Sequence, residues 1–217
     1  MKTAILVDGG FYRKRAAFLW GKKSAEDRAK ELQAYCHAHI KAQNSELYRV
    51  FYYDCPPSSG QAFHPYTRKN INLRKTDTYN WTEIFLRELK RARKFAVRLG
   101  VLSDISIEYV LKPEVVRKLF DGSIKLDEVR ETDFTLSMMQ KGVDMKIGID
   151  ISSLSYKKQV DQIILISGDS DFVPAAKLAR REGIDFILDP MWANIKDNLS
   201  EHIDGIHSNW KKRAKSE

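Results

Sequence analysis

The sequence predicts an α/β fold, a three-layer α/β/α sandwich around a mostly parallel central sheet, and two observations indicate it. Apolar segments of strand length alternate with segments of helical period, which is the arrangement of a parallel sheet covered by helices on both faces. One apolar segment, residues 163–166, is an unbroken run of branched aliphatic side chains, as in a strand buried on both faces. The predicted strands are residues 3–7, 47–53, 105–111, 162–166 and 184–188, and the predicted helices include residues 25–41, 81–98, 143–155 and 174–181.

The chain length predicts one domain. A chain of 217 residues with 43% hydrophobic content can form one sizeable core but is too short for two full α/β domains. We assign residues 1–210 to this domain, with a loop and helical insertion around residues 55–140, and residues 211–217 to a charged tail. Residues 55–80 are polar and rich in Pro, Ser and Gly, so they are predicted to be an exposed loop, whereas residues 113–140 show no clean period and stay unassigned.

Charge and cysteine content indicate the class of partner and the compartment. The excess of 37 Lys and Arg over 29 Asp and Glu gives a net charge of +8, which favours a polyanionic partner, with nucleic acid as the natural candidate. Cys36 and Cys55 are too few for a disulfide framework, and their spacing with histidines does not resemble a zinc site. No apolar run is long enough for a signal peptide or a membrane span, so we expect a cytoplasmic protein with no membrane contact. The sequence does not decide whether the protein forms a homo-oligomer.

Four aspartates are placed to meet at one edge of the predicted sheet. Asp8 ends the first strand, Asp169 and Asp171 follow the strand at residues 162–166, and Asp144 begins a helix. Because open α/β sheets bind ligands at the carboxyl ends of their strands, these acids are candidates for one site. Asp54, which ends the second strand, is a weaker candidate.

Each of these acids also has an ordinary structural interpretation. Asp8 followed by glycine is common turn chemistry, and a carboxylate in the position of Asp144 is favoured by the helix dipole. Ser170 or Asp171 could cap the helix that begins near Pro174. The case for a functional site therefore depends on the acids converging.

Three sequence blocks together resemble the NYN domain, a PIN-like nuclease fold, and in particular its LabA-like branch. They are "ILVDGGF" near the amino terminus, "QKGVDMKIGIDI" in the middle and "ILISGDSDFVPAAKLARREG" near the end. The resemblance implies a PIN-like or Rossmann-like three-layer fold, an acidic pocket that holds Mg²⁺ or Mn²⁺, and ribonuclease activity. It assigns Asp8, Asp144, Asp169 and Asp171 as catalytic residues and metal ligands. Many relatives have an asparagine shortly after the first aspartate and glycine, where this chain has Gly10 and Phe11.

The residue types agree with metal chemistry on a phosphodiester. Hard divalent cations prefer carboxylate and water oxygens, and a bound ion activates water and neutralises charge on the phosphate. Ser167 and Ser170 are predicted to support the site through hydrogen bonds to the acids or to a phosphate, although both could be turn residues. Asp150 lies off the face of Asp144 and is at most a supporting residue.

Basic and aromatic side chains are candidates for nucleic-acid binding. Near the first motif these are Tyr12, which could stack on an unpaired base, with Arg13 and Lys14. Lys141 precedes Asp144 in the second block, and Arg91 and Lys94 belong to a strongly basic segment that could follow a phosphate backbone or simply be a solvated face.

The predicted function is that of a metal-dependent nuclease, most consistent with a ribonuclease that uses Mg²⁺ or Mn²⁺. One alternative is a nucleic-acid-binding or regulatory protein that keeps the fold with weak or no catalysis. A haloacid-dehalogenase-like phosphatase is less favoured, because such enzymes have a second aspartate two positions after the nucleophile, where this chain has Gly10.

Overall fold

The computed structural model of the chain describes residues 1–102 and 107–210. Its strands are β1 (Lys2–Asp8), β2 (Glu46–Asp54), β3 (Gln61–His64), β4 (Lys69–Asn72), β5 (Phe95–Leu99), β6 (Val101–Leu102), β7 (Glu108–Leu111), β8 (Phe134–Ser137), β9 (Gln140–Lys141), β10 (Gln162–Ile166), β11 (Asp185–Asp189) and β12 (Gly205–Ile206). Its α-helices are α1 (Gly9–Trp20), α2 (Ala25–Ala42), α3 (Asp77–Arg91), α4 (Pro113–Phe120), α5 (Val143–Tyr156), α6 (Val173–Arg181) and α7 (Asp197–Ser200).

Six strands form a parallel central sheet in the order β12-β11-β10-β1-β2-β5, which confirms the predicted fold class. The chain begins at β1 in the middle, builds outward through β2 and β5, and then returns to build the other half from β10. The strand order therefore reverses between β1 and β10. In open α/β sheets such a switch point opens a crevice at the carboxyl ends of the strands, where ligands bind.

Helices cover both faces of the sheet, because successive strand side chains point in opposite directions. Ile5 and Val7 pack into one core cluster with side chains of α1, α2 and α3. Ala4 and Leu6 pack into a second cluster with side chains of α5 and α6. The two clusters lie on opposite faces of β1, which gives the three-layer α/β/α sandwich.

One predicted helix was wrong over its last residues, and one predicted strand lies outside the central sheet. The predicted helix at residues 81–98 ends at Arg91, and Phe95–Leu99 is the edge strand β5. The helix ends because Ala92 is extended, with φ of −70° and ψ of 136°, and Lys94, just before the strand, adopts a left-handed conformation with φ of 63°. The predicted strand at residues 105–111 is in part outside the described residues; its described part forms β7, which pairs antiparallel with β8 and is not in the central sheet.

The insertion has regular structure that the sequence did not indicate. The predicted loop at residues 55–80 contains the antiparallel hairpin β3–β4 and the first turn of α3. The unassigned residues 113–140 include α4 and β8. The hairpin β3–β4 contacts the antiparallel pair β7–β8, with the centres of the His64 and Tyr109 rings 4.4 Å apart.

Within residues 1–102 and 107–210, no helix is both long enough and apolar enough to cross a membrane. The predicted tail at residues 211–217 lies outside the described part of the chain. Strands from Lys2 to Ile206 contribute to one sheet, which supports the proposal that residues 1–210 form a single domain.

Candidate active site

An acidic cavity of about 480 Å³ opens at the carboxyl edge of the sheet, where the strand order reverses. Its acidic wall residues come from separate elements: β1, β2, the start of α5 and the turn after β10. They are Asp8, Asp54, Asp144 and Asp169. The convergence of Asp8, Asp144 and Asp169 on this edge agrees with the sequence prediction.

Asp8 is held between the end of β1 and the start of α1. One carboxylate oxygen, Oδ1, accepts a hydrogen bond from the Phe11 amide at 3.0 Å and so caps α1, while Oδ2 accepts from the Ser167 hydroxyl at 3.3 Å. Gly9 allows α1 to begin at this point. A Cβ at Gly9 would lie 2.6 Å from the Tyr53 carbonyl oxygen, closer than packing permits.

The environment of Asp8 raises the pKa of its carboxyl group. Burial is the largest cause, and the nearby carboxylates of Asp144 and Asp54 add to it. The hydrogen bonds from Phe11 and Ser167 favour the charged form but do not outweigh these effects.

The turn after β10 places Ser167 and Asp169 against Asp8. The fully buried Ser167 hydroxyl accepts a hydrogen bond from the Asp169 amide at 3.2 Å, in addition to its contact with Asp8. Gly168 lies against the Phe11 ring, and a Cβ there would be 2.8 Å from the ring edge. Close packing between α1 and this turn therefore requires glycine at position 168.

The side chains of Asp169 and Asp171 are exposed. Asp169 also caps the short 3-10 turn Ser170–Phe172, because its Oδ1 accepts from the Asp171 amide at 3.0 Å. The structural interpretation of Ser170 or Asp171 as the cap of the helix near Pro174 was wrong, because α6 has no side-chain cap and Asp169 caps the preceding turn instead.

Asp144 connects two concave surfaces. It lies in the first turn of α5, lines the acidic cavity, and with Asp171 also lines a groove between α5 and α6. Partial burial raises the pKa of Asp144, and the carboxylates of Asp169 and Asp171 raise it further. The other three predicted acids therefore lie around Asp144, although Asp171 lines the groove rather than the cavity.

The donor set of this cavity fits a hard divalent cation that keeps several water ligands. All the candidate ligands are carboxylates, and their mutual repulsion, seen in the raised pKa values of Asp8 and Asp144, is relieved by positive charge. Within the described ranges, however, no three His, Cys, Asp or Glu side chains are close enough to hold one ion together. Ions that use few protein carboxylates and several waters suit this spacing best.

Several residues of the cavity were missed by the sequence analysis. Lys196 and Asn194 line it from the segment after β11, and the Lys196 ammonium lies 3.4 Å from the Ser170 hydroxyl. Their position after a parallel strand was the available signal. Lys14 and Ser170, which were predicted, also line the cavity.

Asp54 belongs to the wall of the cavity but is already paired. It accepts hydrogen bonds from Arg13 at 3.0 Å and from the Tyr52 hydroxyl at 2.8 Å, and its side chain is buried. This ion pair corrects the prediction for Arg13, whose guanidinium is committed to Asp54 rather than free for a phosphate.

Three further predicted residues do not reach the cavity. Tyr12 is fully buried and donates to Glu31 at 3.3 Å, so it presents no face for stacking on a base. Arg91 ends α3 and Lys94 precedes β5, which places both at the amino edge of the parallel sheet, opposite the acidic cavity. Basic character alone did not show which edge they occupy.

Asp150 supports a different part of the molecule. Its carboxylate accepts from the Tyr53 hydroxyl at 2.8 Å and from Arg98 at 3.1 Å, which ties α5 to the sheet, and it does not line the acidic cavity. Lys141 is exposed in β9, two residues before α5, and its contact with nucleic acid stays a prediction.

Comparison with known proteins adds a family relationship to this geometry. The model of the NYN domain family matches residues 76–206, which is more than half of the 217 residues. No curated protein matches the chain. Among solved structures, a protein of unknown function from Vibrio parahaemolyticus RIMD 2210633 is similar with a TM-score of 0.47 and 17% identity, over 94% of this chain and 90% of the other. The family match includes Asp144, Asp169 and Asp171, whereas Asp8 precedes it.

Proposed function

Since this chain belongs to the NYN domain family, a family of PIN-like nuclease domains, we propose that it is a metal-dependent nuclease that hydrolyses phosphodiester bonds of RNA. The observation that carries the proposal is the acidic cavity at the switch point of the sheet, lined by carboxylates with pKa values raised by burial and by one another. Sites that perturb several acids at once are typical of catalytic centres.

We assign Asp8, Asp144, Asp169 and Asp171 to a Mg²⁺ or Mn²⁺ centre in which an ion takes at most two of these carboxylates directly and reaches the others through its water ligands. When bound, the ion would supply Lewis-acid stabilisation of the phosphate and lower the pKa of a coordinated water. Ser167 orients Asp8 through its hydroxyl and fixes the Asp169 amide, so it holds two of these acids in register.

Lys14 and Lys196 offer positive charge on the wall of the same cavity. They would attract the phosphates of a polynucleotide toward an otherwise acidic pocket, since the chain as a whole carries a charge of +8. We place the scissile phosphate between these lysines and the carboxylates.

A panel of labelled single-stranded RNA, duplex RNA and DNA, each with Mg²⁺, Mn²⁺ or a chelator, tests the proposal. We expect cleavage of RNA with metal and no cleavage with the chelator. Retained RNA binding without cleavage under any metal would instead establish the alternative, a nucleic-acid-binding or regulatory protein on the same fold.

A further inference from the structure

A second cavity, of about 290 Å³, lies beside the acidic cavity. Asp54 lines the acidic cavity. The second cavity is lined by Cys55, the next residue along the chain, and by Arg13, which forms the 3.0 Å ion pair with Asp54. The two cavities therefore adjoin across a single ion pair.

The chemistry of the second cavity differs from that of the first. Among the residues that the structure describes, no carboxylate lines it and Arg13 is its one charged residue, which is already neutralised by Asp54. Its wall is otherwise aliphatic, aromatic and hydroxyl-bearing, with contributions from Tyr79, Tyr109, Leu136 and Met138. A phosphate or a hydrated cation gains little in such a cavity, whereas a flat neutral ring gains apolar contact.

Two features give this cavity polar specificity at the scale of a heterocycle. Its volume lies near the lower end of the usual range for ligand pockets, roughly 300 Å³ and above, so it suits a small ring system. Ser58 and Tyr79 bring hydroxyl groups to its lining, and hydroxyl groups can donate to or accept from the polar edge of a ring.

The insertion builds most of this wall. Tyr79 and Thr82 come from α3, Tyr109 from β7 and Leu136 from β8, so the cavity lies between the insertion and the end of β2. Of these elements, β8 was not predicted from the sequence, whereas α3 and β7 were predicted in part.

We propose that this second cavity receives one unpaired nucleobase of the RNA strand whose phosphate occupies the acidic cavity. The inference rests on the proposed function, because it is the neighbouring phosphate that identifies the ring as a nucleobase. A base in a duplex is stacked and paired, so it must leave the helix before it can enter. The cavity therefore selects single-stranded RNA.

The test compares a fluorescein-labelled single-stranded RNA with the same ribose-phosphate backbone lacking its bases. Leu136→Trp fills the cavity, and Leu126→Trp makes the same change at a residue of the insertion that is 77% exposed. We expect the wild type to bind the base-bearing strand more tightly. Leu136→Trp should weaken that binding about tenfold, on the scale of losing one stacked base, and should not change binding of the abasic strand. Leu126→Trp should bind both strands as the wild type does.

Tyr79→Ala provides a second variant in case Leu136→Trp melts at a much lower temperature than the wild type; it enlarges the cavity and should also reduce discrimination between the two strands. Equal binding of both strands by the wild type, or full discrimination by a folded Leu136→Trp variant, would overturn the inference. Tighter binding of the base-bearing strand without any cleavage would support the base pocket and contradict the nuclease proposal. Cleavage with equal binding of the two strands would support the nuclease proposal and contradict the base pocket.

Discussion

Aspartates at the ends of parallel strands have different roles in this protein, and their hydrogen-bond partners separate them. Asp189 ends β11 and is fully buried. It accepts from the Tyr35 hydroxyl at 2.5 Å, His39 Nε2 at 2.8 Å, the Ser208 hydroxyl at 2.7 Å and the Met191 amide at 2.8 Å. Asp169, by contrast, is exposed and accepts from one backbone amide. The first is a structural residue, and the second is available to a ligand.

This difference predicts opposite effects on stability. Asp189→Ala should lower the free energy of unfolding by about 3 kcal/mol or more, because it leaves several buried donors without an acceptor. Asp169→Asn keeps the shape of the cap, since asparagine caps about as well as aspartate, and should change the free energy by less than about 0.5 kcal/mol. Urea denaturation measures both, and similar losses in the two variants would contradict this assignment of roles.

The raised pKa of Asp8 predicts a pH-dependent stability in the presence of a chelator. The folded chain holds the Asp8 proton more tightly than the unfolded chain, so this contribution to stability is complete below the ordinary pKa of 3.8 and is lost as the pH rises through the raised value. Asp8→Asn cannot ionise and keeps a capping side chain. The melting temperature of the variant relative to the wild type should therefore rise between about pH 3 and about pH 7. A difference in melting temperature that does not change with pH would show that the folded chain does not disfavour the charged form of Asp8.

At the scale of elements, the contact between α1 and the turn after β10 fixes the geometry of the cavity. Gly168→Ala would push a methyl group to within 2.8 Å of the Phe11 ring, so we expect the turn to shift, the variant to unfold more easily and cleavage to fall.

Gly148→Ala is the matched control. It lies within α5, where a Cβ meets nothing within 4 Å, and should stabilise the helix by about 0.5–1 kcal/mol. If both variants cleave RNA like the wild type, the packing of Gly168 on Phe11 does not position the catalytic acids.

The elements that the sequence predicted best are those whose own residues determine them. The apolar run at Gln162–Ile166 was predicted to the residue, and the predicted helix at residues 25–41 differs from Ala25–Ala42 by one position. Phe95–Leu99 was misassigned because it follows a basic, helix-forming segment, and only residues 92–94 separate the two. The antiparallel strand pairs of the insertion are stabilised by contacts between distant segments, such as His64 with Tyr109, and local sequence patterns do not predict such contacts.

At the scale of the whole molecule, the rule that parallel strands end at one edge was enough to place the acids. It brought Asp8 and Asp169 together across 160 residues of chain, as the cavity shows. For the cations the outcome was mixed, because the predicted Lys14 lines the cavity, while Arg91 and Lys94 lie at the amino edge and Lys196, which lines the cavity, was not predicted. Arg91 and Lys94 were misplaced because the boundary between α3 and β5 was misassigned, and Lys196 lies in the irregular segment between β11 and α7, which local patterns do not position.

The placement of the cations predicts which of them affect RNA binding. Affinity should fall with added salt, because phosphate contacts release counterions. Lys14→Gln removes a charge from the cavity wall and should reduce the magnitude of the slope of log K against log salt by about 0.7, the value expected for one contact to a single strand. Arg91→Gln, which makes the same loss of charge at the opposite edge, should leave the slope unchanged. Equal effects of the two substitutions would mean that RNA does not bind at the acidic cavity in preference to the amino edge.

Cleavage of single-stranded RNA by the wild type, Asp169→Asn and Asp150→Asn in Mn²⁺ tests the central claim most directly. Each substitution replaces one carboxylate with an amide of the same shape, but Asp169 lines the acidic cavity and Asp150 contacts Tyr53 and Arg98 outside it. We predict that Asp169→Asn lowers the cleavage rate about 100-fold or more, as for a principal contributor to charge stabilisation, while Asp150→Asn retains the wild-type rate. We also predict that Mn²⁺ raises the melting temperature of Asp169→Asn less than that of the wild type. Wild-type cleavage and a full Mn²⁺-induced gain in Asp169→Asn would show that Asp169 is only a structural cap and that the acidic cavity is not the active site.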